Sequence, residues 1–166
     1  MPRLHALELV PDDAGVAAVR RDWQVLRDLG LPSQLDHAGG TNTPHVTLVG
    51  LPAIGDDLER RAADALGAVL PVGVRVSGLA VLGGQRITLA RLLDVPEDLT
   101  RAVLAVRAGL HDERHPGWLP HVTLGRRVPR SEVQRALDAL GYADLSLTLT
   151  GLRRWDPERG EVRRLA

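Results

Sequence analysis

The pentapeptide Pro44-His45-Val46-Thr47-Leu48 recurs letter for letter as Pro120-His121-Val122-Thr123-Leu124, 76 residues further along a chain of 166. With about 10⁴ position pairs and roughly a one in 10⁶ chance of five matching residues, coincidence accounts for such a repeat on the order of one per cent of the time. The surroundings repeat as well. Each copy follows a helix-patterned segment and a polar loop, enters a strand pattern and is succeeded by another helix pattern, which points to a duplicated lobe with pseudo-twofold symmetry.

The flanking patterns supply the expected elements. Leu4 to Val10 alternates as a strand, with His5, Leu7 and Leu9 on one face and Ala6, Glu8 and Val10 on the other. Pro11-Asp12-Asp13 starts a helix to about Leu29, carrying Val16, Val19, Trp23, Leu26 and Leu29, and Gly30 ends it. Residues 31–44 read as a loop, Val46–Leu51 as a strand and Asp56–Leu70 as an amphipathic helix. Val72–Leu82 and Arg86–Leu93 flank Gly83-Gly84 as a hairpin. A third helix runs from Pro96 to about His111, a polar loop covers 112–120, and Val122–Val128 is a strand. Arg130–Leu140 is a fourth helix closed by Gly141, and strands at Leu145–Arg154 and about Val162–Leu165 finish the chain. No flexible linker separates the halves, so two similar lobes are expected to share one domain over residues 1–166.

Strand periodicity places His45 with Thr47, and His121 with Thr123, on one face of each strand, over an apolar backing of Val46 and Leu48 or Val122 and Leu124. If the lobes face each other, two imidazoles and two hydroxyls converge on one cleft. That combination suits phosphoryl chemistry, with one histidine as general base and the other as general acid near neutral pH. The threonines would donate to non-bridging phosphate oxygens, where negative charge builds in the transition state.

Composition closes off other chemistries. The chain has no cysteine, which excludes a disulfide scaffold, a thiolate zinc site and a thiol nucleophile. Its 21 positive charges, all arginine, balance 21 acidic residues, so there is no global attraction to nucleic acid or membrane. Residues 114–166 nevertheless carry ten arginines against six acids, enough for a basic wall. Trp23, Trp118, Tyr142 and Trp155 are the only aromatic residues, too few for a sheet that stacks single-stranded nucleic acid, and a small anionic ligand fits better. No phosphate-binding glycine loop, HExxH or GxSxG pattern is present. The opening residues carry no signal-peptide pattern and no stretch approaches the roughly 18 apolar residues of a membrane span, so a soluble, cytoplasmic protein without a membrane partner is expected.

Two copies of His-x-Thr-hydrophobic, one per lobe, resemble the defining motifs of the 2H phosphoesterase superfamily, and the spacing and element order are similar to its 2'-5' RNA ligase or cyclic phosphodiesterase branch. The resemblance implies an α+β fold, bilobal, with two pseudo-symmetric lobes of antiparallel sheet flanked by helices. It also implies that His45, Thr47, His121 and Thr123 line the central cleft, and that no metal or other cofactor is required. Members act on 2',3'-cyclic phosphates, 2'-5' linked oligonucleotides or related cyclic nucleotides, so the expected partner is a nucleotide or RNA terminus carrying a cyclic phosphate or a 2'-5' linkage, met by a monomer. The alternative from another class is a nucleotide- or RNA-binding module with the same cleft and little turnover. Nothing in the sequence separates hydrolysis from ligation.

Three further residues complete the expected substrate site. An arginine after the second motif resembles the family pattern at Arg126, whereas strict alternation puts Arg127 on the face of His121 and Thr123, and a bend at Gly125 would decide between them. Trp118 is the candidate for stacking on a base. Other features read as structural: His111 and His115 as a solvated turn rather than a metal pair, Asp36-His37 as loop residues, His5 as a strand residue, Arg153-Arg154 and Arg163-Arg164 as solvated charges, and Trp23 and Trp155 as core.

Overall fold

The computed structural model describes residues 3–112, 115–142 and 144–166; of the polar loop expected over 112–120, the part at Glu113 and Arg114 lies outside them. Seven antiparallel strands form one sheet: β1 His5–Pro11, β2 Val46–Leu51, β3 Val72–Leu82, β4 Ile87–Asp94, β5 His121–Val128, β6 Ser146–Asp156 and β7 Glu161–Arg164. Their order is β2-β1-β6-β3-β4-β5, with β7 also paired to β6. The two expected lobes are therefore the blocks β2-β1-β6-β7 and β3-β4-β5, fused where Val72–Arg75 of β3 pairs with Ser146–Leu149 of β6. The motif strands β2 and β5 end the two blocks. They approach each other without pairing, so the sheet stays open.

Four helices cover the opposite face: α1 Asp13–Asp28, α2 Asp56–Gly67, α3 Glu97–Arg107 and α4 Val133–Leu140. The start signals act as the sequence implies. Asp12 caps α1 by accepting from the Gly15 amide at 2.8 Å, and acidic residues fill the first turns of α2 and α3, where the helix dipole favours negative charge. α3 stops at Arg107, short of His111, because the backbone leaves the helical region at Ala108, with ψ 127°, and Gly109 follows at φ +75°. The core between sheet and helices is almost wholly Leu and Val, including Leu7, Leu9, Leu26, Leu48, Leu66, Leu89, Leu99, Leu124 and Leu149. Each such side chain contributes roughly 1.5–3 kcal/mol by leaving water. Trp23 is buried among them, as expected, but Trp155 is not a core residue: it is half-buried and faces the cleft. It pairs with Ala6 on β1, so the alternation that sends Arg154 under α2 turns Trp155 the other way.

The helices cross between the halves. α1, from the first half of the chain, packs on β5 and α4, while α3, from the second, packs on α2 and β2. One buried polar link holds the first of these crossings, and a second fastens α2 to its own block. Arg91 of β4, 2% exposed, makes a two-toothed pair with Asp22 of α1 at 2.9 and 3.0 Å and donates to the Leu140 and Gly141 carbonyls at the end of α4. Glu59 of α2 is clasped by Arg154 of β6 at 2.8 Å and by Arg163 of β7. Arg154 also donates to His5 Nδ1 at 3.1 Å, which makes His5 part of this structural network. Among the described residues no helix is long and apolar enough to cross a membrane.

Candidate active site

Both pentapeptides build the same local geometry. In β2, Glu8 pairs with Thr47 and Leu7 with Val49, so Leu48 is an extra residue in its strand. In β5, Ala90 pairs with Thr123 and Leu89 with Gly125, so Leu124 is the extra residue at the equivalent place. A bulge of this kind sharpens the twist and re-aims the side chains beyond it. The histidines match too. His45 Nδ1 donates to the Thr43 carbonyl at 2.8 Å, and His121 Nδ1 donates to the Leu119 carbonyl at 2.6 Å, each two residues upstream. A carbonyl only accepts, so Nδ1 carries the proton and Nε2 is the nitrogen each ring presents to the cleft.

His45, Thr47, His121 and Thr123 all line one cleft of about 1050 Å³, together with Trp118 and Arg126. Its floor is the helix-free face of the sheet, where Ala6 and Glu8 of β1 and Arg153 and Trp155 of β6 lie. The volume is at the upper end of what small-ligand sites occupy, enough for a nucleotide.

The choice between Arg126 and Arg127 is made by the bulge. With Leu124 looped out of register, Thr88 pairs with Arg126, which comes onto the face of Thr123 and lines the cleft. Arg127 is passed over in a second shift between Ile87 and Thr88, takes φ +62° and is not a lining residue. Strict alternation fails here because β5 carries two irregularities in eight residues. Gly125 permits the first of them: a Cβ there would lie 2.3 Å from the Pro32 carbonyl oxygen.

Trp118 is half-buried on the wall, its indole N–H donating to the Thr47 carbonyl at 3.1 Å. Arg107, at the end of α3, holds the surrounding loop by donating to the Leu48 carbonyl at 2.6 Å and to the His115 carbonyl. His115 thereby lines the cleft, and so does His37 from the 34–42 loop, but Asp36 is occupied in a cap. The Asp36 carboxylate accepts from the Ser33 amide at 2.8 Å and from Arg27, interactions that hold its pKa below the usual value.

Electrostatics separate the two motif histidines. Burial pushes the pKa of His121 below its ordinary value, with nearby His115, Arg126 and His45 acting in the same direction against the raising effect of the Leu119 carbonyl. His45 instead has a carboxylate beside it, with Glu8 Oε1 3.4 Å from Nε2. Glu8, Arg153 and Arg107 are not legible as site residues in the sequence, where Arg153 reads as a solvated charge. The signal for Glu8 was a single acid in the apolar run His5-Ala6-Leu7-Glu8-Leu9-Val10, on the strand face that looks away from the helices. Among the described residues, His5, Asp156 and Glu158 bring three ligand-type atoms within 4.8 Å, but none of them lines the cleft and Arg154 occupies His5 Nδ1.

The family model of the 2'-5' RNA ligase superfamily matches residues 11–161. No curated relative matches in sequence. Among solved structures, Usb1 of Kluyveromyces marxianus aligns with a TM-score of 0.60 at 16% identity, covering 98% of this chain and 97% of that one. A second structure of the same protein, with uridine monophosphate, aligns at 0.58 and 18% identity over 98% and 97%. LigT of E. coli complexed with 3'-AMP aligns at 0.52 and 16% identity over 98% and 94%. At these identities the likeness is one of fold.

Proposed function

Because the chain belongs to the 2'-5' RNA ligase superfamily, whose phosphoesterase fold it has, we propose that it is a metal-independent phosphoesterase acting on a nucleotide or RNA end. The bond broken is a 2',3'-cyclic phosphate or a 2'-5' phosphodiester. The observation that carries this reading is the pairing of two identical His-Val-Thr-Leu bulges across one cleft, each ring anchored through Nδ1 so that Nε2 is the nitrogen left for proton transfer.

The mechanism follows from that geometry. Phosphate sits between the motifs, where the Thr47 and Thr123 hydroxyls and the Arg126 guanidinium donate to its non-bridging oxygens, stabilising charge as the bond order at phosphorus changes. One imidazole removes a proton from attacking water while the other protonates the departing ribose oxygen, so both ends of the in-line displacement are served without a strong free base or acid. Trp118 and Trp155 offer ring surface to a nucleobase on the walls of the same cleft. That uridine monophosphate and 3'-AMP are held by the two similar proteins supports a nucleotide as the ligand class.

The test is hydrolysis of the four nucleoside 2',3'-cyclic phosphates and of a 2'-5' linked diadenosine in EDTA, by native protein and by His45→Ala and His121→Ala. Turnover in chelator that both substitutions abolish is the expected result. Binding of these ligands with no turnover would replace the enzyme reading with that of a nucleotide-binding module, and turnover that survives the double substitution would remove the histidines from the mechanism.

A further inference from the structure

Duplication should give both histidines the same neighbours, and the strand register shows where it does not. Thr47 faces Glu8 across β1, but Thr123 faces Ala90 across β4. The same position beside a motif threonine thus holds a carboxylate in one half and a methyl group in the other. Three residues after each threonine the contrast inverts: Gly50 lines the cleft in the first half and Arg126 in the second. One histidine has gained an acidic neighbour and the other a basic one.

Glu8 is placed with some care for a carboxylate on the floor of a cleft meant for an anion. Its side chain is 6% exposed. Oε2 accepts from Arg153 Nε at 2.8 Å, and Arg153 also donates to the Thr41 carbonyl at 3.4 Å, which ties the pair to the loop over the cleft. A buried carboxylate needs such a countercharge. Oε1 is left 3.4 Å from His45 Nε2, and among the described residues this is the one carboxylate within ion-pair distance of either motif histidine.

Resting on the phosphoesterase reading above, we propose that Glu8 is a positioning residue that makes His45 the proton donor, so that His121 is the base. Water loses a proton to His121 Nε2 as its oxygen bonds to phosphorus. The bond from phosphorus to one ribose oxygen breaks, its electron pair stays on that oxygen, and His45 Nε2–H protonates it. One water is consumed and one phosphomonoester is formed. His121 leaves the step protonated and His45 neutral, and exchange with solvent restores both. Beside Glu8, the His45 imidazolium has a counterion before the step and regains its proton after it. The other titratable and charged groups facing this space are Arg153 of β6, His121 and Arg126 of β5, Asp36 and His37 of the 34–42 loop, Arg107 of α3, Asp112 and His115 beyond it, and Arg3 before β1.

The experiment compares native protein with Glu8→Gln, Glu8→Asp and Arg153→Gln, using NMR titration of the ¹⁵N-labelled histidines and the pH profile of kcat/KM on adenosine 2',3'-cyclic monophosphate. Glu8→Gln removes the carboxylate 3.4 Å from His45 Nε2, and the His45 titration should move to lower pH relative to the native protein. The alkaline limb of kcat/KM should move to lower pH in step with it, with the acidic limb in place. Glu8→Asp, which keeps the charge, should restore the native limb. Arg153→Gln, which leaves the carboxylate uncompensated, should move the limb to higher pH and serves alone if Glu8→Gln does not fold. An unmoved His45 titration overturns the proposal, and so does a His45 titration that moves while the alkaline limb does not. If the native protein turns over no cyclic phosphate or 2'-5' linkage, the phosphoesterase reading fails instead, and the NMR titration still decides whether Glu8 acts on His45.

Discussion

The indole N–H of Trp118 donates to the backbone carbonyl of Thr47 at 3.1 Å, tying the wall before the second motif to the strand of the first. The counterpart is Trp23 of α1, which donates to the Thr123 carbonyl at 3.0 Å. Each motif threonine is therefore gripped by an indole from elsewhere in the chain, at the carbonyl just before the bulge. A strand edge at such a point has lost a ladder partner, and the indole replaces it.

Replacing either indole by phenylalanine keeps an aromatic ring but removes the donor and the fused five-membered ring, whose lost packing adds to the cost at the buried Trp23. Trp118→Phe should cost about 0.5–1.5 kcal/mol, the net worth of one hydrogen bond, and Trp23→Phe, in a buried site, about 1–3 kcal/mol because the Thr123 carbonyl is left unsatisfied. Urea denaturation of both variants checks the order. Equal losses would mean that the carbonyls find water.

For the motif side chains, His45→Ala and His121→Ala should each lower kcat by roughly 10²–10⁴-fold. Thr47→Val and Thr123→Val, which keep the shape and remove a donor to the phosphate, should each cost on the order of 10²-fold or more. Steady-state kinetics at saturating nucleotide, with circular dichroism to confirm folding, measure this. A change in KM alone would place the threonines in ground-state binding.

The depressed pKa of His121 has two consequences of definite sign. As a base it must be neutral, so the acidic limb of kcat/KM should have its midpoint below the ordinary histidine value of 6.5. Folded His121 also binds fewer protons than the unfolded chain between its own pKa and 6.5, so its contribution to stability is complete above that window and is lost as pH falls through it. Denaturation midpoints from pH 7.5 to 4.5 should show a fall that His121→Asn reduces.

Gly125→Ala should destabilise by about 1–3 kcal/mol or more, since its Cβ would be 2.3 Å from the Pro32 oxygen and 3.0 Å from a Leu26 methyl. Because the same bulge brings Arg126 into the cleft, activity should fall further than stability explains. Kinetics well below the variant's melting temperature separate the two effects.

Arg91→Leu should leave the Asp22 carboxylate and the Leu140 and Gly141 carbonyls without their donor and cost about 3–5 kcal/mol. A loss below about 1 kcal/mol in thermal or urea unfolding would show that Asp22, on the less buried side, turns to water.

Much of this protein was legible from its residues alone, and for local reasons. Period-two runs such as Leu7–Leu9, acidic helix starts such as Asp12 and Asp56, and stops at Gly30 and Gly141 are short-range physics, so the strand and helix order followed from them within a few residues. The repeated pentapeptide marked two histidines and two threonines because duplication copies chemistry and spacing together. What stayed hidden depended on pairing across the chain. Strand register put Glu8 beside Thr47 and Ala90 beside Thr123. The close approach of Pro32 to Gly125 goes with the bulge that turned Arg126 inward and left Arg127 out. Alternation carried Trp155 to the cleft with its β1 partner Ala6. The sequence by itself determined which chemistry is duplicated, since hydrogen-bonding and proton-transfer groups belong to the residues. Only the tertiary structure decided how the two copies differ, because the neighbours that polarise an imidazole arrive from strands and loops far along the chain.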